Sequence, residues 1–513
     1  MKIKICIFIF FILLTSELFS QDFKRNNFWS LGYDPVVTFN FNNSLIVDTT
    51  LNMNCGISSS ASTISDTNGN LVLFLNGFII YNSNGYAVDN GFYVNCPFGN
   101  ILANYYGVAS LFDQTSIIVP KKGNTYYVFS TGMSDSVANN YLNSVLTEFD
   151  VLSYCVVDMD SNAGMGKVVV KDKVLTDHQH YHYTPLTAVK HNNGRDWWLV
   201  KADCNNNRYQ EFLVKEDTIL GPYYQNITTT GDFCTWSSQI YFSQDGAKLA
   251  SSTYGDIYGT SSNPFYYYNR VELYDFDRCS GEITYKQHYI VPYDTSTYVN
   301  RDYKQGICFS PDGKLLYMST NYSVFQIDLE DTSTNNALFI HGPDTSDLAH
   351  FPLYGLMDIA PNGKIYVGNS NGIRKYMSYI DSPNVKGLGC HFVPQGVWQP
   401  YTNLMSPPNM PNYGLGVDNS NLGCWTLDVR NLSGEKNNEW MVYPNPASNK
   451  LIIASGHLND QENSIELFDI PGRSIFQRKI KTSTGLIELD ITELKGGVYF
   501  LRCNGNTRKV VVE

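Results

Sequence analysis

The sequence predicts an all-β protein: a β-propeller, of seven blades with six as the alternative, followed by a small antiparallel β-sandwich. Three observations carry this. Charged residues make up only 16% of the 513 residues while aromatics reach 14%, with 37 tyrosines, a balance that suits pleated, half-buried strands. One strand–turn–strand unit recurs through the middle of the chain. The final stretch, residues 440–513, alternates apolar and polar residues between turn signals of its own.

The chain opens with Lys2 and Lys4, the apolar run 5–14, and a polar Thr15-Ser16-Glu17 leading to Leu18-Phe19-Ser20. A charged n-region, a short h-region and a small residue at the cut site make residues 1–20 a secretory signal peptide. The run is shorter than the ~20 apolar residues of a permanent anchor. No cysteine follows Ser20 directly, which argues against a lipid anchor, and no other stretch is apolar enough to span a bilayer. A stable membrane span is therefore not expected in the mature chain.

Residues 21–430 hold the repeats. Ser310-Pro311-Asp312-Gly313-Lys314, Ser243-Gln244-Asp245-Gly246-Ala247 and Ala360-Pro361-Asn362-Gly363-Lys364 are variants of one turn between apolar strands. Pro or its equivalent presets φ, Asp or Asn follows, and Gly takes the positive φ that closes the hairpin. Weaker copies stand at Asp66-Thr67-Asn68-Gly69, Lys121-Lys122-Gly123-Asn124 and His191-Asn192-Asn193-Gly194. Six copies at a period of about 50 to 60 residues match a four-stranded blade with its loops. Strand-like pieces 28–33 and 36–41 precede the first copy, and 412–417 follows the last. A ring must hide its edge strands, so the two ends of the chain are expected to pair in one shared seventh blade.

Residues 431–439 are polar and contain Gly434, as a linker does. The tail then reads Tyr443-Pro444-Asn445-Pro446, Leu467-Phe468-Asp469-Ile470-Pro471-Gly472-Arg473, Leu489-Asp490-Ile491, Gly496-Gly497-Val498-Tyr499-Phe500 and Lys509-Val510-Val511-Val512. This ordered set resembles the type A C-terminal sorting domain of the Bacteroidetes type IX secretion system. The resemblance covers residues 440–513. It implies handling by the type IX secretion machinery, export across the outer membrane, and delivery to the medium or the outer cell surface. The central region, with Ile64-Ser65-Asp66, Ile117-Ile118-Val119-Pro120, Val156-Val157-Asp158-Met159 and Leu186-Thr187-Ala188-Val189, is similar to the large propellers of Bacteroidetes surface and gliding-associated proteins. That family is defined by architecture and brings no catalytic residues with it.

Chemistry is sparse in the sequence. His178, His180 and His182 alternate, so on a strand they share a face and offer a three-imidazole seat for zinc. The simpler reading is a solvated loop before the strand at 186–190, because no fourth ligand is identifiable; no metal site, cofactor or catalytic residue is assigned. Asp158-Met159-Asp160-Ser161-Asn162 begins like a calcium loop but has Ala163 and Val169 where glycine and glutamate are required, and reads as a hairpin turn. No nucleophile elbow, H-E-x-x-H, Walker loop or C-x-x-C occurs. The formal net charge of −12 with no basic cluster excludes nucleic acid as a partner.

Ten cysteines follow the signal peptide, an even count that an oxidising compartment allows to pair. Cys390 and Cys424, both in loop-rich sequence, are the expected bridge, and Cys308 the expected buried thiol. Two roles remain open: a non-catalytic propeller that binds glycan or protein through loops such as Tyr254-Gly255-Asp256-Ile257-Tyr258 and Phe265-Tyr266-Tyr267-Tyr268-Asn269, or a secreted hydrolase or lyase with its site at the axial mouth. Binding is the favoured reading.

Overall fold

The computed structural model describes residues 22–512 except 33–35, 50–56, 58–60, 95–113, 135, 138–148, 178, 180, 182–184, 204–205, 227–238, 259–264, 292–303, 332–336, 343–352, 371–373, 404–406, 419–440, 444–446, 448, 455–461, 470–471, 483–485 and 505. The expected signal peptide, residues 1–20, and the expected linker at 431–439 lie outside the described residues. The chain divides into two compact units, Met1–Ser433 and Gly434–Glu513.

In the first unit, the described strands form seven antiparallel meanders that follow one another, and we number them blades 1 to 7. Blade 1 has three strands, Phe28–Leu31, Val37–Asn40 and Ile46–Asp48; blades 2 to 7 have four each, across residues 62–92, 116–176, 186–226, 240–291, 304–341 and 354–403. Strand order within each blade is sequence order, the meander that a propeller requires. All six repeated hairpins occupy one place, the first turn of blades 2 to 7. Their glycines adopt φ of +89° (Gly69), +58° (Gly123), +70° (Gly194), +71° (Gly246), +68° (Gly313) and +78° (Gly363), which a Cβ would strain. The preceding serine locks the turn: Ser310 Oγ donates to Asp312 Oδ1 at 2.6 Å and accepts Leu315 N–H at 2.9 Å. Ser243 repeats this with Asp245 and Lys248.

The meander gives the ring two faces. First and third turns of blades 2 to 7 lie on one, the turn face; second turns and blade-to-blade links lie on the other, the connection face. Blades 2 and 3 are further joined at their outer strands, Ala87–Phe92 and Lys167–Thr176, which pair in parallel at Asp89 and Lys167, with a 2.8 Å ion pair between those side chains.

Closure differs from the expected shared blade. Blade 1 is built wholly from N-terminal strands. Its first turn, 32–36, meets Ile57 on the connection face through Ile57 N–H to Gly32 O at 2.9 Å. Its opposite end meets the first turn of blade 2, where Asn42 Nδ2 donates to Gly69 O at 3.0 Å. Blade 1 thus holds the second, third and fourth strand positions of a blade, and the innermost position has no sheet strand among the described residues. The segment 412–417, read from the sequence as strand-like, forms turns and coil. Packing closes the ring instead. Tyr366 of blade 7 meets Trp29, Phe39 and Phe41 of blade 1 edge-on, with centroids 5.6, 6.3 and 5.7 Å away. An apolar interface removes these faces from water without strand exchange.

The second unit is a sandwich. One sheet orders Met441–Tyr443, Lys450–Ala454 and Leu486–Asp490; the other orders Ser474–Lys481, Glu462–Asp469, Gly497–Cys503 and Asn506–Val512. Leu451, Ile453, Ile465, Leu467, Leu489, Leu501 and Val510 form its buried core, the inward half of each alternation.

Candidate functional site

A propeller's axis is where its innermost strands converge, and here the chain itself fills it. After the last blade the segment 407–418 runs from the connection face to the turn face. Asn409, 9% exposed, is its hub. Its N–H donates to Ala61 O at 2.8 Å, its Nδ2 donates to Ser116 O at 2.8 Å and Leu186 O at 2.9 Å, and its carbonyl accepts from Ser62 Oγ at 2.9 Å. Gln114 Nε2 donates to Asn409 Oδ1 at 3.3 Å and to Ile240 O at 3.2 Å. One residue thus ties blade 2 through its backbone and blades 3 and 4 through its side chain, and reaches blade 5 through Gln114. Gln239 continues the circuit: its Oε1 accepts Ile307 N–H and Met357 N–H at 2.9 and 3.2 Å, and its Nε2 donates to Met357 O at 2.8 Å. Amides suit this position because each supplies both donor and acceptor to strand ends that lack ladder partners.

Beyond Asn409 the plug descends past Tyr413, which is fully buried and donates to Ile118 O at 2.7 Å. On the turn face Asn412 Nδ2 donates to Gln244 O at 2.8 Å, Arg278 Nη2 donates to Gly416 O at 2.6 Å, and Asp418 N–H reaches Asn192 O at 3.3 Å. The void left beside Asn409, lined by Gln114, Gln239, Tyr241, Asp358 and Pro407, is water-sized.

Asp358 is the titratable group of this axis. Its Oδ1 accepts the Tyr241 hydroxyl and, at 2.7 Å, its neighbour Ile359 N–H. Burial pushes its carboxyl up to about 7. The unfolded group titrates near 3.8, so the native state holds the proton more tightly. The stability this gives is full below pH 3.8 and drains away as pH rises toward 7. Asp358→Asn keeps the acceptor for both donors and cannot ionise. Denaturant melts should show the variant gaining on the wild type by roughly 3 kcal/mol more at pH 8 than at pH 5; an equal gap at the two pH values would mean that Asp358 does not titrate in the fold.

Other buried groups are held for packing. Between blades 4 and 5, Arg270 Nη2 pairs with Glu272 Oε1 at 2.9 Å, and the Tyr274 hydroxyl donates to Glu272. Burial drives the Glu211 carboxyl well upward. Glu211 and Glu272 are 0% and 1% exposed. Lys201, which carries no signal in the sequence, is fully buried, donates to Ala202 O at 3.0 Å and sits 4.4 Å from the Tyr181 ring centroid. Desolvation pushes its ammonium down to about 7.

The residues singled out from the sequence are distributed as follows. His178, His180 and His182 lie outside the described residues. Among the described residues, no three His, Cys, Asp or Glu side chains are grouped to hold a metal. Asp158 accepts Ser161 Oγ at 2.7 Å and Asp160 N–H at 3.0 Å, so its carboxylate caps its own turn. Tyr443 ends the first sorting-unit strand, and Pro444, Asn445 and Pro446 lie outside the described residues. Gly472, at φ +87°, closes the turn in which Asp469 O accepts its N–H at 2.9 Å. Gly497 opens a strand, and the Tyr499 hydroxyl donates to Lys495 O at 2.8 Å.

The expected Cys390–Cys424 bridge is corrected: Cys390 is a free, fully buried thiol, packed in the blade 6–7 core, where burial excludes a partner approaching from solvent. Cys424 lies outside the described residues. Cys308 is free and buried, as expected. Cys279 is disulfide-bonded.

The aromatic segments read as loops are strands. Lys248–Tyr258 and Phe265–Phe276 pair from Lys248↔Asp275 to Tyr258↔Phe265. Among the described residues, the inner flanking strand pairs as far as Ser251 and the outer as far as Asn269. The paired stretch 253–258 with 265–268 lies toward the connection face, beyond the described residues of the two flanking strands.

Fold and tail together define an exported β-propeller with a terminal sorting module. Residues 441–513 match the family model described as a secretion system C-terminal sorting domain, and this domain directs a chain through type IX secretion to the cell surface or the medium. The comparison with curated proteins found no match. Similar solved structures include a candidate 6-phosphogluconolactonase from Bacteroides fragilis, 12% identical, covering 74% of this chain and 97% of that one at a TM-score of 0.42. The β-propeller domain of Swd1 from Myceliophteria thermophila is 12% identical over 67% and 91% at 0.38. A periplasmic gluconolactonase from Pseudomonas aeruginosa is 10% identical over 74% and 97% at 0.34.

Proposed function

We propose that the protein is a non-catalytic binding propeller, displayed on or released from the cell, that recognises a glycan or a protein. The observation that carries this reading is the filled axis. Asn409 and its neighbours occupy the place where a hydrolase or lyase of this architecture would seat its substrate, and the remaining void is water-sized. The paired stretch 253–258 with 265–268 of blade 5 is the assigned recognition element. It carries Tyr254, Tyr258, Tyr266, Tyr267 and Tyr268 on a two-stranded edge, and flat phenol rings suit sugar faces and peptide backbones alike.

Glycan and protein arrays probed with the exported chain test this. Binding that falls at least tenfold in Tyr266→Ser/Tyr268→Ser, with unchanged melting, supports the reading; turnover of any arrayed ligand, or binding indifferent to this stretch, overturns it.

The tail serves as an address under this proposal, with the propeller ending near Arg430 and residues 431–439 as linker. A chain ended at Arg430 should melt at the temperature of the full-length propeller transition and remain in the periplasm. Cell fractionation and calorimetry check both, and unfolding of the shortened chain would place the boundary elsewhere.

A further inference from the structure

We infer that the outer side of the four-stranded sheet in the sorting unit, centred on Phe468 and Phe500, is the surface by which the secretion machinery holds this chain. The matching surface on that machinery is an apolar protein patch edged with carboxylates. The inference rests on the tail's role as the export address.

The alternation of the two central strands fixes the face. Glu462–Asp469 and Gly497–Cys503 pair with Ile465 opposite Cys503 and Leu467 opposite Leu501, and all four of these side chains are buried in the core. Successive side chains leave a strand on opposite sides. The intervening pairs, Phe468 opposite Phe500 and Glu466 opposite Arg502, therefore stand on the outer side. The next strand extends the row, with Val511 opposite Val498 and Lys509 opposite Phe500. The Arg502 guanidinium lies 4.6 Å from the centroid of the Phe468 ring, and its Nη1 is 3.7 Å from Glu466 Oε2. Phe500 is 37% exposed.

A sandwich buries one side of each sheet, and the side left to water is ordinarily polar. The three-stranded sheet follows this rule: its outer side sets Lys450 opposite Asp490 and Ile452 opposite Glu488, with Lys450 Nζ 3.4 Å from Glu488 Oε1. The four-stranded sheet instead carries two phenylalanines and two valines side by side on neighbouring strands. An apolar row outside the core marks a contact surface.

Charge selects the occupant. The strands of this sheet hold six cations, Arg478, Lys479, Lys481, Arg502, Arg508 and Lys509, against three carboxylates, Glu462, Glu466 and Asp469, in a chain whose formal net charge is −12. Cations around an apolar centre suit a protein surface of the opposite pattern and speed its encounter. An anionic envelope lipid or glycan would be drawn by the same cations, but the match of residues 441–513 to a sorting domain favours a protein that handles the chain during export.

Expression of the full-length chain in its own cells, fractionated into periplasm, surface and medium, tests this. Phe468→Ser/Phe500→Ser and Arg502→Glu should each lower the exported amount at least about tenfold and collect in the periplasm, with the melting of the sorting unit unchanged. Arg502→Lys keeps the charge and should be exported as the wild type is, and so should Ile452→Ser on the outer side of the other sheet. If the phenylalanine pair alters melting, the two Arg502 variants decide alone. Export of Arg502→Glu at the wild-type level, or equal retention of Ile452→Ser, overturns the assignment. Normal export with loss only of surface attachment also overturns it, and would place an envelope lipid or glycan on this face instead. A chain ended at Arg430 that is still exported fails the address reading itself, whereas its retention beside exported Arg502→Glu fails this inference alone.

Discussion

Replacing Asn409 by alanine should destabilise the whole propeller by about 3 kcal/mol, because the buried carbonyls of Ser116 and Leu186 each lose a donor and the Gln114 amide loses one of its two acceptors. Asn409→Asp is the sharper version. The side chain keeps its size, but both donors become acceptors, so a carboxylate is set against two carbonyl oxygens in a buried site, and the loss should exceed that of alanine. Chemical denaturation of the two variants beside the wild type checks this. Losses below about 1 kcal/mol for both would mean that the plug rests in the axis without bracing it. The same geometry predicts the location of the damage. Asn409 contacts blades 2, 3 and 4, so amide hydrogen exchange should rise first at the inner strands 62–65, 116–120 and 186–190.

The second large effect belongs to blade 1. Removing residues 22–48 uncovers Tyr366 and Tyr379 of blade 7 on one side and Ile64 and Leu73 of blade 2 on the other, leaving an open ring with two apolar sheet faces in water. The expected product is insoluble or unfolded propeller. Soluble chain with a cooperative melt would show that blade 1 is an accessory arm. A single substitution tests the same interface without deleting backbone: Trp29 is fully buried and stands 5.1 and 5.6 Å from Phe41 and Tyr366, and Trp29→Ala should cost about 3–5 kcal/mol.

Both results turn on how the ring is completed, for which the sequence alone predicts a shared blade. That expectation applied a sound rule, that edge strands must be hidden, but the rule does not say how. Residues 28–33 and 36–41 are legible as strands, and they are strands. Whether they take the inner or outer positions of a blade depends on which end of the ring Asn42 and Gly32 face, and that is fixed by contacts with Gly69 and Ile57, far along the chain. The segment 412–417 misled for a related reason. Tyr413, Leu415 and Val417 alternate as a strand would, yet their alternation serves an axial path, with Tyr413 buried against Ile118 O and Leu415 beside Gly246.

The cysteines divide the same way. Cys308 is readable as a buried thiol because it lies between Ile307 and Phe309 on a strand. Cys390 is not readable, because the short 3-10 turn Gly387–Cys390 that folds it inward is stabilised by Gln326, whose Oε1 accepts Gly387 N–H at 2.7 Å. Asp358, Lys201 and Glu211 carry no local signal at all: their shifted protonation comes from burial by neighbouring blades, and burial of one particular polar residue in an alternating strand is a tertiary fact.

The sequence by itself determined the hairpins, their count, the strand-rich tail and its sorting motifs. Each of these is encoded within a few residues, by a glycine that tolerates positive φ, a serine that locks its turn, or apolar residues at a period of two. Tertiary structure alone decided that blade 1 closes the ring by packing on Tyr366, that Asn409 fills the axis, and that the tyrosine-rich segments of blade 5 pair as strands. The first two outcomes depend on contacts between residues hundreds of positions apart, whose energy is set by which faces meet once the blades have formed, and no local pattern specifies that meeting.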